Sequence, residues 1–222
     1  MADRSAQGWG DEPATVVLIH GLWMTGAELL PLARRLECRG LRTHLFRYSP
    51  TGATPQAHAR ELAACAQRQG PGPVHWVAHS YGGIVALHCL ALGESLPPGR
   101  IVMIGSPVRG SAPARCLADW PVTRRWFGDT LEQGLLGGAP EPTGDREVAV
   151  IAGDHPLGLG GLLAGFDEPH DGTVAVAETV LEGAADRIVL PHSHFGLVFA
   201  AEVAEAVARF LRTGRLTAGE SA

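Results

Sequence analysis

Short apolar runs recur along the chain, and longer amphipathic segments separate them. A continuous apolar run bounded by turn residues is typical of a strand that is buried on both faces of a sheet. Such runs, together with one more mixed segment, predict strands at residues 15–19, 41–48, 74–78, 101–104, 148–152 and 187–190. Helical patterns with recognisable start or stop residues are predicted at residues 25–40, 54–70, about 82–92 and 196–212.

Strands that alternate with helices of this length predict an α/β fold, with a mainly parallel sheet covered by helices on both faces. We assign residues 14–215 to one domain, preceded by a disordered leader at 1–13 and followed by a tail at 216–222. An insertion at residues 107–145 breaks the alternation with an irregular stretch that holds large aromatic residues. We interpret the insertion as a small cap over the functional site. The alternative is a solvated segment whose aromatics pack on the sheet edge.

Composition narrows the choice of partners. The chain has a net charge of −5, and its basic residues are all Arg and are scattered, so we expect no nucleic-acid partner.

No apolar stretch is long enough to cross a membrane and no secretory signal opens the chain, which favours a cytoplasmic protein. The four cysteines form no C-x-x-C pair, and two disulfides remain arithmetically possible. Without a signal peptide we expect buried free thiols instead. Lys and Asn, whose codons are A-rich, are absent, as is typical of a GC-rich bacterial coding sequence.

The most specific motif is Ala78-His79-Ser80-Tyr81-Gly82, which lies between an apolar strand and an apolar helix. This is the context of a nucleophile elbow, a sharp turn that presents a serine hydroxyl at the carboxyl ends of the strands. Small residues two before and two after the serine let the strand and the helix approach, and here they are Ala78 and Gly82. We predict that Ser80 is a nucleophile. For the motif taken alone, an ordinary Ser-Gly turn is the alternative.

A tetrahedral intermediate at such a serine needs two backbone N–H donors for its oxyanion. Tyr81, which follows the serine, supplies one of them. The other must come from the loop after an earlier strand, and the His20-Gly21 step at the end of the first strand lets that backbone approach the serine. We expect Leu22 to be that donor, with Trp23 as the second choice.

A serine nucleophile also needs a histidine base, and that histidine needs a carboxylate acceptor. The chain order in this type of fold is serine, acid, histidine. His192 and His194 both follow the last predicted strand, where the base is required. Asp154 directly follows the fifth strand and Asp171 lies in a loop farther on, so spacing leaves the acid open between them. No third ligand of convincing spacing accompanies the two histidines, so we predict no metal site.

Five segments together resemble those of bacterial α/β-hydrolase-fold esterases and lipases, including glycosylphosphatidylinositol-deacylase-like members. The resemblance extends over nearly the whole chain, from Val16 to about Arg215. It is carried by V-V-L-I-H-G-L-W at 16–23, A-H-S-Y-G-G at 78–83, G-S-P-V-R-G at 105–110, H-D-G-T-V at 170–174 and L-P-H-S-H-F-G-L at 190–197.

The resemblance implies an α/β-hydrolase fold with Asp171 as the acid and His194 as the base. It also supports Leu22 and Tyr81 as the oxyanion donors. The chain departs from the family pattern at Ala78, where glycine is usual, and in the shortness of the insertion, which leaves the range of acyl chains open.

The function predicted from these residues is hydrolysis of carboxylic esters with short to medium acyl chains, through an acyl-enzyme. Trp23 and His20 are expected to contact this small-molecule substrate, and no cofactor is expected. Acyl transfer to an acceptor other than water would use the same residues. The rival from another class is a catalytically silent protein of the same fold that binds a small hydrophobic ligand. The sequence leaves the oligomeric state open.

Overall fold

The computed structural model describes residues 14–158 and 165–218 of the chain. Its strands are β1 (Thr15–Ile19), β2 (Arg42–Phe46), β3 (Val74–His79), β4 (Ile101–Ile104), β5 (Val148–Gly153) and β6 (Asp186–Leu190). Its helices are α1 (Leu30–Glu37), α2 (Pro55–Gln67), α3 (Tyr81–Ala91), α4 (Ala112–Ala118), α5 (Pro121–Phe127), α6 (Gly196–Phe199) and α7 (Ala201–Thr213). The strands form one sheet in the order β2-β1-β3-β4-β5-β6, and all neighbouring pairs are parallel.

The inner strands are apolar along their whole length because both of their faces are covered. Every residue of β1, β3, β4 and β5 is buried, whereas burial alternates along the edge strands β2 and β6. One face of the sheet packs against α2, α3 and the insertion, and the other packs against α1, α6 and α7. The predicted parallel sheet with helices on both faces is therefore confirmed.

The strand order places the loop after β1 next to the turn after β3. From β1 the chain moves outward to β2 and then returns to the other side of β1 as β3, so the direction of winding reverses between β1 and β3. Ligands of open parallel sheets bind at such a point, at the carboxyl ends of the strands. The two segments that the sequence singles out, at 20–23 and 80–83, lie there.

Three predictions need correction. Within the helix predicted at 25–40, the α-helix α1 covers only Leu30–Glu37 and follows a 3-10 turn at Ala27–Leu29. The closing helix is interrupted at Ala200, whose extended backbone (φ −72°, ψ 134°) separates α6 from α7. The insertion is not irregular throughout, since it contains α4 and α5, each of seven residues. Both begin with proline in the first turn, and the Ser111 hydroxyl caps α4 by accepting the Ala114 N–H at 3.3 Å.

All four cysteines are free thiols. Cys65 and Cys89 are buried as predicted, but the prediction is wrong for Cys38 and Cys116, which are exposed. Cys38 follows the last turn of α1, and Cys116 lies on the outer side of α4 in the insertion. Neither position faces the core, although each lies in an otherwise amphipathic segment.

Within the described ranges, no helix is both long and apolar enough to cross a membrane. The predicted leader at 1–13 lies outside the described residues, as does the end of the predicted tail at 219–222. The first tail residue, Leu216, is buried, and its N–H donates to the Asp186 carboxylate of β6 at 2.7 Å.

Candidate active site

Ser80 occupies the turn between β3 and α3 in a strained backbone conformation. Its φ of 55° and ψ of −127° lie outside the regions that residues with a side chain normally adopt. The surrounding backbone holds this conformation: the Ser80 N–H donates to the Ile104 carbonyl at 2.9 Å, and the Ser80 carbonyl accepts the Gly83 N–H at 3.0 Å. The residue is partly exposed. The turn therefore presents the Ser80 side chain at the carboxyl end of β3.

Small residues on both sides of Ser80 make room for this turn. A Cβ atom on Gly82 would lie 2.6 Å from the Ile19 carbonyl oxygen and 2.8 Å from that of His20, so the helix can approach β1 only with glycine there. Ala78, opposite Ile19 in the β1–β3 register, is fully buried. The structure thus accommodates the methyl group by which this motif departs from the family pattern.

The loop after β1 approaches Ser80 at Gly21. A Cβ atom on Gly21 would lie 2.9 Å from Ser80 Cβ and 3.4 Å from Ser80 Oγ. The Gly21 N–H is already engaged, since it donates to Met24 Sδ at 3.2 Å. In the part of the chain that the structure describes, the N–H groups of Leu22 and Tyr81 have no intramolecular acceptor. Tyr81 also begins α3, where the helix dipole is positive. Both N–H groups can therefore donate to an oxyanion.

His20 lies behind this loop rather than at its surface. Its ring is fully buried and stacks on Tyr48, with centroids 4.5 Å apart, and the Tyr48 hydroxyl donates to the His20 carbonyl at 2.7 Å. Burial lowers the pKa of His20. The His20 ring therefore supports the loop from the protein interior. It is not exposed at the surface, where the predicted contact with substrate would require it.

Trp23 connects the same loop to the insertion. Its side chain is 59% exposed, yet its indole N–H donates to the Trp126 carbonyl at 2.9 Å and its ring lies 5.1 Å from that of Phe127. Its φ of 56° is unusual for so large a residue. These contacts tie α5 to the segment that follows Leu22.

Asp171 and His194 form a buried hydrogen-bonded pair. His194 Nδ1 lies 2.7 Å from Asp171 Oδ2, and the His194 backbone N–H donates to the Asp171 carbonyl at 2.8 Å. The other carboxylate oxygen accepts the N–H groups of Thr173 at 2.9 Å and Val174 at 2.7 Å. Because a carboxylate accepts hydrogen bonds, Nδ1 carries a proton, and in the neutral imidazole Nε2 is then the acceptor. This is the tautomer that a general base needs.

The end of β4 brings this pair next to Ser80. A Cβ atom on Gly105 would lie 3.2 Å from His194 Nδ1 and 3.3 Å from Asp171 Oδ2, so the pair packs directly on Gly105. The preceding residue, Ile104, accepts the Ser80 N–H. Ser80 therefore contacts Ile104, and His194 contacts the next residue, Gly105. Among the described residues, no hydrogen bond joins the Ser80 hydroxyl to His194, and such a contact commonly tightens only when substrate binds.

The residues left open as alternatives lie elsewhere. Asp154 is exposed, although its N–H continues the pairing with β6 by donating to the Leu190 carbonyl. His192 Nε2 lies 3.2 Å from the exposed Glu202 carboxylate. Within the described chain, no group of three or more His, Cys, Asp or Glu side chains is arranged to hold a metal ion.

Two polar residues near the site were not predicted. His79, the last residue of β3, is buried against His194. Glu178 is also buried and connects the loop after Asp171 to α4, because its carboxylate accepts the N–H groups of Ala112 and Ala175. The sequence signal for His79 is a polar residue in an apolar strand directly before Ser80. Glu178 carries no comparable signal.

Comparison with known proteins supplies a family and several relatives. A family model described as the alpha/beta hydrolase family matches residues 16–218. The chain is 31% identical over 130 residues to the pimeloyl-(acyl-carrier protein) methyl ester esterase of Vibrio vulnificus, an alignment covering 57% of this chain and 49% of that protein. It is 38% identical over 97 residues to Lipase LipV of Mycobacterium tuberculosis, covering 41% of this chain and 37% of the lipase. The matches thus span about half or less of these curated relatives.

A solved structure supports the same architecture. The mature lipase BlEst2 of Bacillus licheniformis superposes with a TM-score of 0.68 at 19% identity, covering 94% of this chain and 95% of that one. At this level of identity, the likeness shows the fold alone.

Proposed function

The chain belongs to the alpha/beta hydrolase family, and on this premise we propose that it hydrolyses carboxylic esters through an acyl-enzyme formed on Ser80. The observation that carries the proposal is the buried hydrogen bond between Asp171 and His194, packed beside the strained turn that bears Ser80. Relatives named as an esterase and a lipase support the same class of reaction.

In the proposed reaction, Ser80 Oγ attacks the ester carbonyl carbon while His194 Nε2 takes the hydroxyl proton. Asp171 keeps the proton of the imidazole on Nδ1 and stabilises the imidazolium that forms. The N–H groups of Leu22 and Tyr81 hold the oxyanion of the tetrahedral intermediate. His194 then gives the proton to the leaving alcohol. Water, activated by the same base, cleaves the acyl-enzyme and restores Ser80.

We infer that the acyl group is apolar and of short to medium length. Leu22 and Tyr81 pack with an apolar cluster to which the insertion contributes Phe127 and Leu131. Exposed Trp23 adds apolar surface at the end of the oxyanion loop. An acyl chain entering beside the oxyanion donors would therefore meet apolar side chains, which favours its burial.

The first test is labelling with a fluorophosphonate probe, followed by hydrolysis of p-nitrophenyl esters of increasing chain length. We expect the wild type to be labelled and Ser80→Ala to lose labelling, with kcat falling by about a thousandfold or more. Ser106→Ala is the matched control: this serine follows β4, is buried and lies close to Gly83, and its loss is expected to leave labelling intact.

Two results would overturn the proposal. Persistent labelling or hydrolysis by folded Ser80→Ala would assign the chemistry to another residue. A folded wild type that neither reacts with the probe nor hydrolyses any ester would point to a silent ligand-binding protein. If hydrolysis occurs, product analysis with an added alcohol or amine separates transfer to water from transfer to another acceptor.

A further inference from the structure

We propose that His79 is a positioning residue, which fixes the base His194 beside Ser80 by hydrogen bonding to the His194 backbone carbonyl. This inference rests on the function proposed above. It concerns a residue that takes no part in the bond-making steps and that nevertheless lies between the nucleophile and the base.

The contact is direct and buried. His79 Nε2 lies 3.1 Å from the His194 carbonyl oxygen, and the two imidazole rings lie with centroids 4.7 Å apart at an angle of 45°. His79 is 1% exposed, and the ring of Phe195 lies 6.4 Å away on its outer side. His79 is the last residue of β3 and directly precedes Ser80, so a hydrogen bond from its ring to His194 fixes His194 relative to Ser80.

The backbone of His194 is thereby held at both of its polar groups. Its N–H donates to the Asp171 carbonyl, and its carbonyl accepts the hydrogen bond from His79. Asp171 alone fixes the ring through Nδ1 and the chain through the N–H, but both of these contacts come from the same loop. The His79 contact comes from β3 and relates that loop to the strand that carries Ser80.

The protonation of His79 follows from the contact. A carbonyl oxygen only accepts hydrogen bonds, so Nε2 must carry the proton. Nδ1 is then a buried acceptor, and within the described residues it has no partner. An unpaired buried acceptor destabilises a fold, so an apolar side chain would suit the fold alone better than a histidine here. What the histidine supplies, and an apolar side chain would not, is the hydrogen bond from Nε2 to the His194 carbonyl.

The same surroundings keep the ring neutral. Burial lowers the pKa of His79 well below its ordinary value, and the neighbouring His194 lowers it further. A neutral neighbour matters because His194 becomes positively charged during each proposed turnover. His79 therefore supplies a hydrogen-bond donor at this position without a competing positive charge.

The test compares substitutions that keep or lose the donor. Gln can place an amide N–H near the position of Nε2, whereas Asn is too short and Phe keeps the ring without a donor. We expect His79→Phe and His79→Asn to lower kcat by about tenfold to a hundredfold, since small displacements of a catalytic group have effects of this size, with KM changed by less than about threefold. We expect His79→Gln to retain kcat within about threefold of the wild type.

His75 provides the matched control. It lies four residues earlier in β3, on the same face of the sheet, is 1% exposed, and its Nδ1 accepts the Arg100 backbone N–H at 2.8 Å. We expect His75→Phe to lower the melting temperature while kcat per folded molecule stays within about twofold of the wild type. The rate of fluorophosphonate labelling is expected to follow kcat in every variant.

The outcomes separate this inference from the proposed function. If His79→Phe and His79→Asn are folded and keep wild-type kcat and labelling rate, or if Gln fails to restore what Asn loses, His79 does not position the base. The inference is equally overturned if His75→Phe loses as much kcat as His79→Phe, because the effect would then follow stability. Activity that survives in Ser80→Ala would refute the proposed function itself, whatever the His79 variants do.

Discussion

Asp171 is held by hydrogen bonds on both of its carboxylate oxygens. It is 1% exposed, and its charge is offset by His194 on one side and by the N–H groups of Thr173 and Val174 on the other. Hydrogen bonds of this kind keep a buried carboxylate in one orientation. The turn at 171–174 therefore orients the Asp171 side chain so that its Oδ2 faces the His194 imidazole.

We expect Asp171→Asn to lower kcat by about a thousandfold or more, with little change in the melting temperature. The amide can hold His194 in the wrong tautomer, with Nε2 protonated and unable to take the serine proton. Steady-state kinetics with a p-nitrophenyl ester measures the effect. Asp154→Asn is the control, because Asp154 is exposed and is expected to leave kcat within about twofold. Equal losses in the two variants would contradict the assignment of the acid.

At the scale of the secondary-structure elements, α4 and α5 depend on contacts with the rest of the molecule. Each has seven residues, which is too short for a stable isolated helix. The N-terminus of α4 is held by Glu178, whose carboxylate lies 2.5 Å from the Ala112 N–H and 3.2 Å from the Arg115 guanidinium. Glu178 belongs to the segment that follows Asp171, so the insertion and that segment are anchored to each other.

We expect Glu178→Ala to lower the free energy of unfolding by about 1–3 kcal/mol, because it leaves the part-buried Ala112 N–H and the buried Ala175 N–H without an acceptor. Amide hydrogen exchange in α4 should accelerate in this variant. Glu182→Ala is the control: that side chain is 78% exposed and pairs with Arg109 at the surface, which is expected to contribute about 0–1 kcal/mol. Unchanged exchange in α4 of Glu178→Ala would show that other contacts hold the insertion.

The molecule as a whole buries several histidines in neutral form. Burial is the first cause that lowers the pKa values of His20, His79 and His88, and it lowers that of His75 to about 4, with help from the positive charges of Arg100 and Arg146. Between an ordinary pKa of 6.5 and about 4, the unfolded chain binds a proton at His75 that the folded chain does not. The stability that neutral His75 contributes to the fold is therefore fully present above pH 6.5 and is lost as the pH falls toward 4.

We expect urea unfolding to show this loss between pH 7 and pH 4, with His75 contributing on the order of 2–3 kcal/mol. His75→Gln removes the titrating group and should flatten the pH dependence by that amount. His155→Gln, at an exposed position, should leave the dependence as in the wild type. A free energy of unfolding that stays constant from pH 7 to pH 4 in the wild type would contradict the prediction.

Parts of the fold could be predicted where a local pattern is sufficient. The strand at 101–104 matches β4 at both ends, because a fully buried strand is a continuous apolar run. The start of α2 was equally clear, since Thr54 caps it and Pro55 occupies its first turn. The helices of the insertion and the break at Ala200 were not predicted, because packing rather than periodicity determines them.

The sequence by itself determined the α/β alternation, the elbow around Ser80 and the loop at His20-Gly21, because each depends on residue types at fixed local spacing. It left Asp154 and Asp171, and likewise His192 and His194, as alternatives on spacing alone. The resemblance to known hydrolases implied Asp171 and His194. Only the tertiary structure shows these two in contact, through the packing of the 171–174 turn and the loop after β6 on Gly105. It also decided that His79 bonds to His194, a contact between residues 115 positions apart that local spacing does not encode.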